Sequence, residues 1–305
     1  MNFWLCVLLL AVLFDIVIGE PPASFHPVVW MGKLIKILVR GAPVRQRKLY
    51  GFLMVFSCVG ITILFGKSME ILLGTEVPGM IIYAYFLKSC FSIRMLFVCA
   101  SRIKKDLEAE RIEKVRTDLK TFVGRDTSQL NVHQSASAVI ESLAESFVDG
   151  ILAPLFYFLL FGLPGALGYR MINTLDSMVG YKKEPFADIG YASAKLDDLV
   201  NYAPARISIV FIFLASIIFA NPVGAIKTSI RDHNKTASPN SGWSMAAVSG
   251  ALQVKLEKIG FHVLGSEYED PQLFHINRAI IIVGLSSLLV IACLLFIGSV
   301  PLIQL

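Results

Sequence analysis

The chain has 305 residues, of which 55% are hydrophobic and only 17% are charged, and its mean hydropathy is +0.65. Because a soluble globular protein carries about 25% charged residues, this composition excludes an ordinary soluble domain and predicts several membrane spans. The net charge of +5 accompanies no basic patch with interleaved aromatic residues and no nucleic-acid motif. We therefore assign the positive charge to loops that orient the chain in the membrane, with no nucleic-acid partner.

The apolar runs have the length of membrane helices, and none shows the alternation over about ten residues that is typical of a transmembrane β-strand. The sequence predicts an all-α, polytopic membrane bundle in the cell membrane, with residues 1–305 as a single domain. About six spans are expected, some broken or re-entrant, at 3–18, 52–66, 79–99, 151–169, 204–220 and 279–298. Polar motif regions lie at 19–35, 124–150, 172–206 and 231–243.

The first apolar run is interpreted as a retained span and not as a signal peptide. No Lys or Arg precedes the run, no cleavage site follows it, and Asp15 lies within it. The prolines of residues 19–27 then exclude a long helix. We interpret His26 in this segment as a hydrogen-bonded structural residue in preference to a ligand.

The distribution of Lys and Arg predicts the orientation of the first spans. These residues are dense in 20–51 and 100–146, whereas 67–78 contains only Lys67. By the positive-inside rule, the two basic loops face the cytoplasm and the N-terminus lies outside. Two cations interrupt the third span: Lys88 is expected to snorkel to an interface, and Arg94 to face a carboxylate in the bundle.

The run 151–169 is broken by Gly162, Pro164 and Gly165, which fits either one kinked span or a tight helical hairpin. The choice matters for the polar motif regions on either side. The polar motif regions share one side of the membrane only in two cases. Either 151–169 and 204–220 both cross the membrane, or both segments bring the chain back to the side from which it entered. A site within the membrane depth, lined by broken helices, would also fit.

Glu141, Glu145 and Asp149 are spaced four residues apart, on one face of a predicted helix that runs into this apolar segment. Like charges at this spacing repel one another, so the stripe is expected to attract a cation. Magnesium fits because it prefers hard oxygen ligands and bridges carboxylates to phosphate. An Arg or Lys partner, or a simple solvated helix face, remains an alternative.

The segment GRDTSQL at 124–130 indicates a helix start, with Asp126, Thr127 or Ser128 as the cap. An alternative interpretation is an anion-binding site. In it, Arg125 and the free backbone amides of the new helix would hold the ligand.

Two further segments combine carboxylates, amides and cations near the membrane. In 172–182, Asn173 and Asp176 share a helix face and Lys182 follows; in 195–206, Asp197 and Asn201 share a face, with Asp198 and Arg206 nearby. Such groups suit a magnesium–phosphate substrate, and taken singly they suit internal salt bridges equally well. Their repetition along the chain favours the functional interpretation.

The segment RDHNKTASPNSGW at 231–243 contains Arg231 and Asn240 and has the composition of a turn-rich loop. It is either an ordinary loop or part of a substrate site. The chain has no phosphate-binding P-loop motif, so any nucleotide must be held in another way.

Together these segments resemble the adenosylcobinamide-phosphate synthase family of cobalamin biosynthesis, the CobD/CbiB family. The matching pieces are Asp15 with GEPPASFHPV, then GRDTSQL, ESLAESFVDGILAPLF, GLPGALGYRMINTLDSMVGYK, DIGYASAKLDDLVNYAPARI and RDHNKTASPNSGWSMAAVSGAL. They cover about 120–252 almost continuously, and jointly they are highly specific. Two positions depart from the family pattern: Glu20 stands where Asp is more usual, and Phe274 stands where Gly is usual.

The resemblance implies an integral membrane ligase that joins adenosylcobyric acid to aminopropanol phosphate, or a related amino alcohol, through an amide bond. The product would be adenosylcobinamide phosphate. Such a reaction is expected to use ATP and magnesium, because a carboxylate acylates poorly until it is activated, commonly as an acyl phosphate. Phosphoryl transfer then depends on positioning and charge neutralisation.

The resemblance does not assign roles to single residues, so the following assignment is our hypothesis. The carboxylates expected to act in catalysis, the first three also as metal ligands, are Glu141, Glu145, Asp149, Asp176, Asp197 and Asp198. The residues expected to bind substrate are Arg125, Asp126, Asn173, Lys182, Asn201, Arg206, Arg231 and Asn240.

Two alternatives of other classes remain at this point. A transporter or channel would use carboxylates within the membrane to move a cation or a proton, although no inverted repeat is detectable. A non-catalytic membrane signalling or scaffold protein of the same fold is the other.

Overall fold

A computed structural model describes residues 3–123, 127–181 and 185–299. It is 77% helical with almost no strands, which confirms the predicted all-α class. The elements in chain order are α1 (Phe3–Val17), α2 (Pro27–Arg40), α3 (Arg47–Leu73), α4 (Val77–Lys88), α5 (Ile93–Glu108), α6 (Ile112–Phe122), α7 (Val132–Phe147), a π-helical turn (Val148–Leu152), α8 (Ala153–Val179), α9 (Tyr191–Val200), α10 (Tyr202–Phe219), α11 (Pro222–Asp232), a 3₁₀ turn (His233–Lys235), α12 (Ser241–Leu252), β1 (Leu256–Lys258), β2 (His262–Leu264) and α13 (Leu273–Ser299).

The contacts divide the chain into two compact units. The first unit comprises Met1–Ser92, Ala153–Asn201 and Leu294–Leu305. The second unit comprises Ile93–Leu152 and Tyr202–Cys293. The two short strands form an antiparallel hairpin in the second unit, with Leu256 opposite Leu264.

Five helical segments of the described chain are long and apolar enough to cross a membrane. They are Arg47–Leu73, Val77–Glu108, Val132–Val179, Tyr202–Phe219 and Leu273–Ser299, and the shorter apolar helix Phe3–Val17 precedes them. Many large apolar side chains on these helices are exposed, as lipid-facing residues must be. The predicted multi-pass membrane protein is confirmed.

The third predicted span is interrupted. α4 ends at Lys88 and α5 begins only at Ile93. Lys88 is 2% exposed, so the expectation that it snorkels to an interface is wrong. Arg94, expected deeper in the span, is exposed on the first turn of α5. Lys88 instead meets the carboxylates of Asp15 and Glu20 in the interior.

α8 is a helical hairpin with its turn at Gly162. The backbone there has φ +64° and ψ −154°, far from helical values. Twelve residues of continuous α-helix would separate Tyr157 from Tyr169 by about 18 Å, yet their rings stack with centroids 5.4 Å apart. The chain therefore reverses at Gly162, and the hairpin is the correct alternative.

After α10, the chain also turns back towards the end at which α10 begins. Arg206, on the second turn of α10, donates from Nη1 to Oδ1 of Asn240, the residue before α12, at 3.1 Å. α10 has 18 residues and is about 27 Å long. The loop before α12 therefore lies at the end where α10 begins, and α11 carries the chain back.

The helix after GRDTSQL begins later than the sequence indicates. The N-cap is Asn131, whose side chain accepts from the backbone N–H of Gln134 at 2.8 Å, and Gln134 caps Asn131 in return. Thr127 instead donates its hydroxyl to the Arg116 carbonyl. The predicted cap at Asp126, Thr127 or Ser128 is therefore wrong. A reciprocal capping box satisfies two free N–H groups at once, so it stabilises the start of the helix more than a single cap does.

Candidate functional site

Acidic and amide side chains of α8 and α9 meet in the first unit. We call them the acid–amide cluster, which consists of Asn173, Asp176, Asp197, Asp198 and Asn201. The Asn201 Nδ2 donates to Oδ2 of Asp197 at 2.9 Å, and the Tyr169 hydroxyl donates to Oδ1 of Asn201 at 2.9 Å. The shared face predicted for Asp197 and Asn201 is present.

Electrostatics in the acid–amide cluster favour a cation. Burial, followed by the charge of Asp176, raises the pKa of the Asp197 carboxyl, against the hydrogen bonds from Asn201 and Asn173. The second oxygen of Asp197, Oδ1, is buried and accepts no hydrogen bond within the described residues. Neighbouring carboxylates repel one another unless a proton or a cation neutralises them.

Arg170 extends this polar face of α8 and was missed by the sequence analysis. It lies three residues before Asn173, and its Nη1 donates to Oδ1 of Asn173 at 3.2 Å. Arg170 immediately follows the apolar run 151–169, and its three-residue spacing from Asn173 is the signal that could have revealed it.

A second group of charges is buried in the first unit, and we call it the buried ion network. Lys88 lies 3.2 Å from Asp15 and 2.8 Å from Glu20, and the Lys88 and Asp15 side chains are 2% and 0% exposed. Glu20 also accepts from Ser92 at 2.5 Å and from His26 at 2.9 Å. Intramembrane charges of this kind persist only when they are paired.

Hydrogen bonds fix the tautomer of His26 in this network. The backbone N–H of Val28 donates to Nδ1, so the ring proton is on Nε2 and points to Glu20. Burial alone would raise the pKa of Glu20, but the hydrogen bonds from His26, Lys88 and Ser92 outweigh it and lower the pKa to about 2. The prediction of His26 as a structural residue fits this role as a cap and a donor.

In the second unit, Glu141 lies in a buried polar pocket against the β-hairpin. The Ser137 hydroxyl donates to Oε1 of Glu141 at 2.8 Å, and His262 Nε2 lies 3.6 Å from Oε2. The Glu141 and His262 side chains are each 7% exposed. Ser137 and His262 were missed, and His262 is 121 residues from Glu141, which no sequence spacing could show.

The predicted three-carboxylate stripe is not one continuous α-helical face. The α-helix ends at Phe147, and Asp149 lies in the π-helical turn that follows. Glu145 is exposed, whereas Glu141 is buried. The described residues contain no group of three or more His, Cys, Asp or Glu side chains placed to hold a metal ion by themselves. The metal role of this stripe stays a prediction.

The remaining predicted substrate residues have different surroundings. Arg206 lies over the Tyr202 ring, with the guanidinium carbon 3.5 Å from the ring centroid, and contacts Asn240. Arg231 donates four of its five N–H groups to Asp232 and Glu267, at 2.6 to 2.8 Å. Arg231 is thus already engaged by carboxylates. Arg125, Asp126 and Lys182 lie outside the described residues.

Magnesium suits the donors of the acid–amide cluster. Carboxylate and amide oxygens are the hard ligands that Mg²⁺ prefers, and this ion is normally held by one or two carboxylates together with water and substrate phosphates. A cage of three or more protein acids is therefore not required. Two of these carboxylates, Asp176 and Asp197, would hold the ion, and the ion would neutralise phosphate charge.

Fold and site together define an α-helical, multi-pass membrane protein that keeps ionisable side chains among its apolar helices. Comparison with known proteins identifies its family. Residues 8–283 match the CobD/CbiB protein family. The chain belongs to this family of cobalamin biosynthesis proteins.

Curated relatives match over most of their length. The chain is 42% identical over 270 residues to the cobalamin biosynthesis protein CobD of Dehalococcoides mccartyi, covering 86% of this chain and 87% of that protein. It is 42% identical to the probable cobalamin biosynthesis protein CobD of Methanothermobacter thermautotrophicus, covering 85% and 86%. It is 36% identical to the cobalamin biosynthesis protein CobD of Klebsiella pneumoniae, covering 94% of each. No solved structure matches the chain.

Proposed function

We propose that this protein is the membrane ligase that joins adenosylcobyric acid to aminopropanol phosphate, or a related amino alcohol. In this reaction ATP transfers a phosphoryl group to the corrinoid carboxylate, releasing ADP. The amine then attacks the acyl phosphate, which forms the amide bond, releases phosphate and gives adenosylcobinamide phosphate. Family membership supports the pathway, and the acid–amide cluster supports the chemistry.

The observation that carries the proposal is the assembly of three carboxylates and two amides on α8 and α9, inside a unit built from apolar helices. Repulsion between Asp176 and Asp197 opposes the assembly of the cluster. The assembly becomes favourable when a divalent cation and the phosphates that accompany it are bound. Phosphoryl transfer needs this positioning and charge neutralisation more than it needs covalent chemistry from the protein.

The neighbouring residues orient these carboxylates. Asn201 is 2% exposed, and its amide is fixed on one side by the Tyr169 hydroxyl and on the other donates to Asp197. Because both hydrogen bonds restrain its rotation, Asn201 holds Asp197 in one rotamer. A carboxylate whose position is set before substrate arrives loses less freedom on binding.

A reconstituted assay tests the proposal. The purified protein in lipid nanodiscs is mixed with adenosylcobyric acid, aminopropanol phosphate and magnesium-ATP, and the corrinoid product and ADP are measured by mass spectrometry. The expected product is heavier than adenosylcobyric acid by the mass of aminopropanol phosphate minus one water. One ADP should form for each amide. Asp176→Asn should abolish both products, whereas the exposed Asp188→Asn should not.

Two results would contradict the proposal. A folded, membrane-inserted protein that forms neither amide nor ADP is not this ligase. ADP release without amide, at a rate independent of the corrinoid, would indicate an ATPase or a transporter.

A further inference from the structure

Among the described residues of the first unit, no carboxylate pairs with the cation Arg170. Within the residues that the structure describes, its guanidinium forms no ion pair, and its only hydrogen bond goes from Nη1 to the neutral amide of Asn173. An arginine always carries its charge and offers five N–H donors. Four of these donors therefore have no protein acceptor, and one of them, at Nε, is buried.

Among the residues of this unit that the structure describes, the fully buried cation, Lys88, is compensated. Lys88 lies against Asp15 and Glu20, and these contacts account for its charge. Exposed cations such as Lys67 need no partner because water solvates them. Arg170 is half-buried on a membrane helix, where water solvates it incompletely and an unpaired charge is costly. An anion that arrives with a ligand would remove this cost.

The position of Arg170 beside the acid–amide cluster indicates the chemical class of the anion that it would bind. Along α8, Arg170, Asn173 and Asp176 follow one another at intervals of three residues, so that neighbours contact along one side of the helix. The same side therefore runs from a cation through an amide to an acid. A magnesium–phosphate ligand has the complementary order, with the metal at the acidic end and phosphate oxygens at the guanidinium.

We propose that Arg170 binds a phosphate group of the substrate, beside the acid–amide cluster. The planar guanidinium can donate two parallel hydrogen bonds to phosphate oxygens, which a lysine cannot do. The phosphate comes either from the amino alcohol phosphate or from ATP. This inference rests on the proposed function for the identity of these two ligands, but not for the presence of a phosphate site.

The test measures binding without turnover. Dissociation constants of the wild-type protein, Arg170→Gln and Arg170→Lys in nanodiscs are determined for inorganic phosphate, aminopropanol phosphate, unphosphorylated aminopropanol and magnesium-ATP. The exposed Arg278→Gln, on α13, is the matched control. Loss of two charge-assisted hydrogen bonds should weaken binding of the phosphorylated ligand by at least about 100-fold. The affinity of Arg170→Lys for the phosphorylated ligand should lie between those of wild type and Arg170→Gln. The affinity for unphosphorylated aminopropanol should not change in either variant.

The two sources of phosphate separate in the same data. Weaker aminopropanol phosphate binding with unchanged ATP binding assigns Arg170 to the amino alcohol, and the reverse assigns it to the nucleotide. Equal affinities of Arg170→Gln and wild type for all phosphorylated ligands would overturn the proposal. So would equal weakening of aminopropanol phosphate and aminopropanol.

Melting curves of the wild-type protein keep the proposal testable if Arg170→Gln does not fold. Phosphate and aminopropanol phosphate should raise the melting temperature of the wild-type protein with increasing concentration, because they bind only the folded state. The absence of this shift in wild type overturns the proposal without any variant. If wild type binds phosphate through Arg170 but forms no amide, the proposed function fails and the phosphate site stands.

Discussion

Replacing Lys88 by methionine tests the buried ion network most directly. The substitution keeps most of the side-chain length but removes the ammonium group that Asp15 and Glu20 share. Removing one partner of a buried ion pair costs about 3–5 kcal/mol, because the other charge stays buried without compensation. Against a total stability of about 5–15 kcal/mol, this loss lowers the folding constant by roughly two to four powers of ten.

The assay is reversible unfolding in detergent micelles, followed by tryptophan fluorescence and circular dichroism. Lys67→Met is the matched control, since Lys67 also pairs with a glutamate at 2.8 Å but is 63% exposed. An exposed pair contributes less than about 1 kcal/mol. Adding Asp15→Asn to Lys88→Met should restore part of the lost stability, because a neutral amide needs no ammonium group. Equal unfolding midpoints for Lys88→Met and Lys67→Met would refute this reasoning.

The pH dependence gives an independent measurement of the same network. The pKa of Glu20 is lowered from 4.5 to about 2 in the folded protein. Its contribution to stability is therefore complete above pH 4.5 and is lost as the pH falls towards about 2. In Lys88→Met one cause of the lowered pKa is gone, so the loss of stability in acid should be smaller than in wild type.

Three further predictions concern other parts of the chain. Gly162→Ala should destabilise the protein by about 1–2 kcal/mol, because φ is +64°, a backbone conformation that side chains with a Cβ rarely adopt. Gly60→Ala meets open space and should be neutral or stabilising in the same unfolding assay. The magnesium concentration needed for half-maximal turnover should rise as the pH falls, because the raised pKa of Asp197 lets protons compete with the metal; a requirement independent of pH would remove Asp197 from the metal site. Asp232→Asn should destabilise by about 1–3 kcal/mol in thermal melts, because this buried carboxylate accepts charge-assisted hydrogen bonds from Arg231 and Lys235, whereas the two cations that remain are exposed enough for water to solvate them.

Prediction from sequence succeeded where a residue's neighbours are close in the chain. Asp197 and Asn201 are four residues apart on one helix, and their contact follows from helix geometry. It failed for Lys88, whose partner Asp15 lies 73 residues away, since no local pattern distinguishes a buried cation from a snorkelling one. Arg170 was missed for a related reason. It matters because no described carboxylate pairs with it, and a sequence does not show which charges stay unpaired after folding.

Sequence by itself determined that this protein is a bundle of membrane helices. Apolar runs of this length must satisfy their backbone hydrogen bonds internally in lipid, and the helix achieves this whatever the rest of the chain does. The motifs also placed the carboxylates that form the acid–amide cluster. Tertiary structure alone decided that the chain reverses at Gly162 and that His262 meets Glu141. A glycine with φ above zero permits a kink and a reversal equally, and only the packing of distant side chains, here Tyr157 on Tyr169, selects between them.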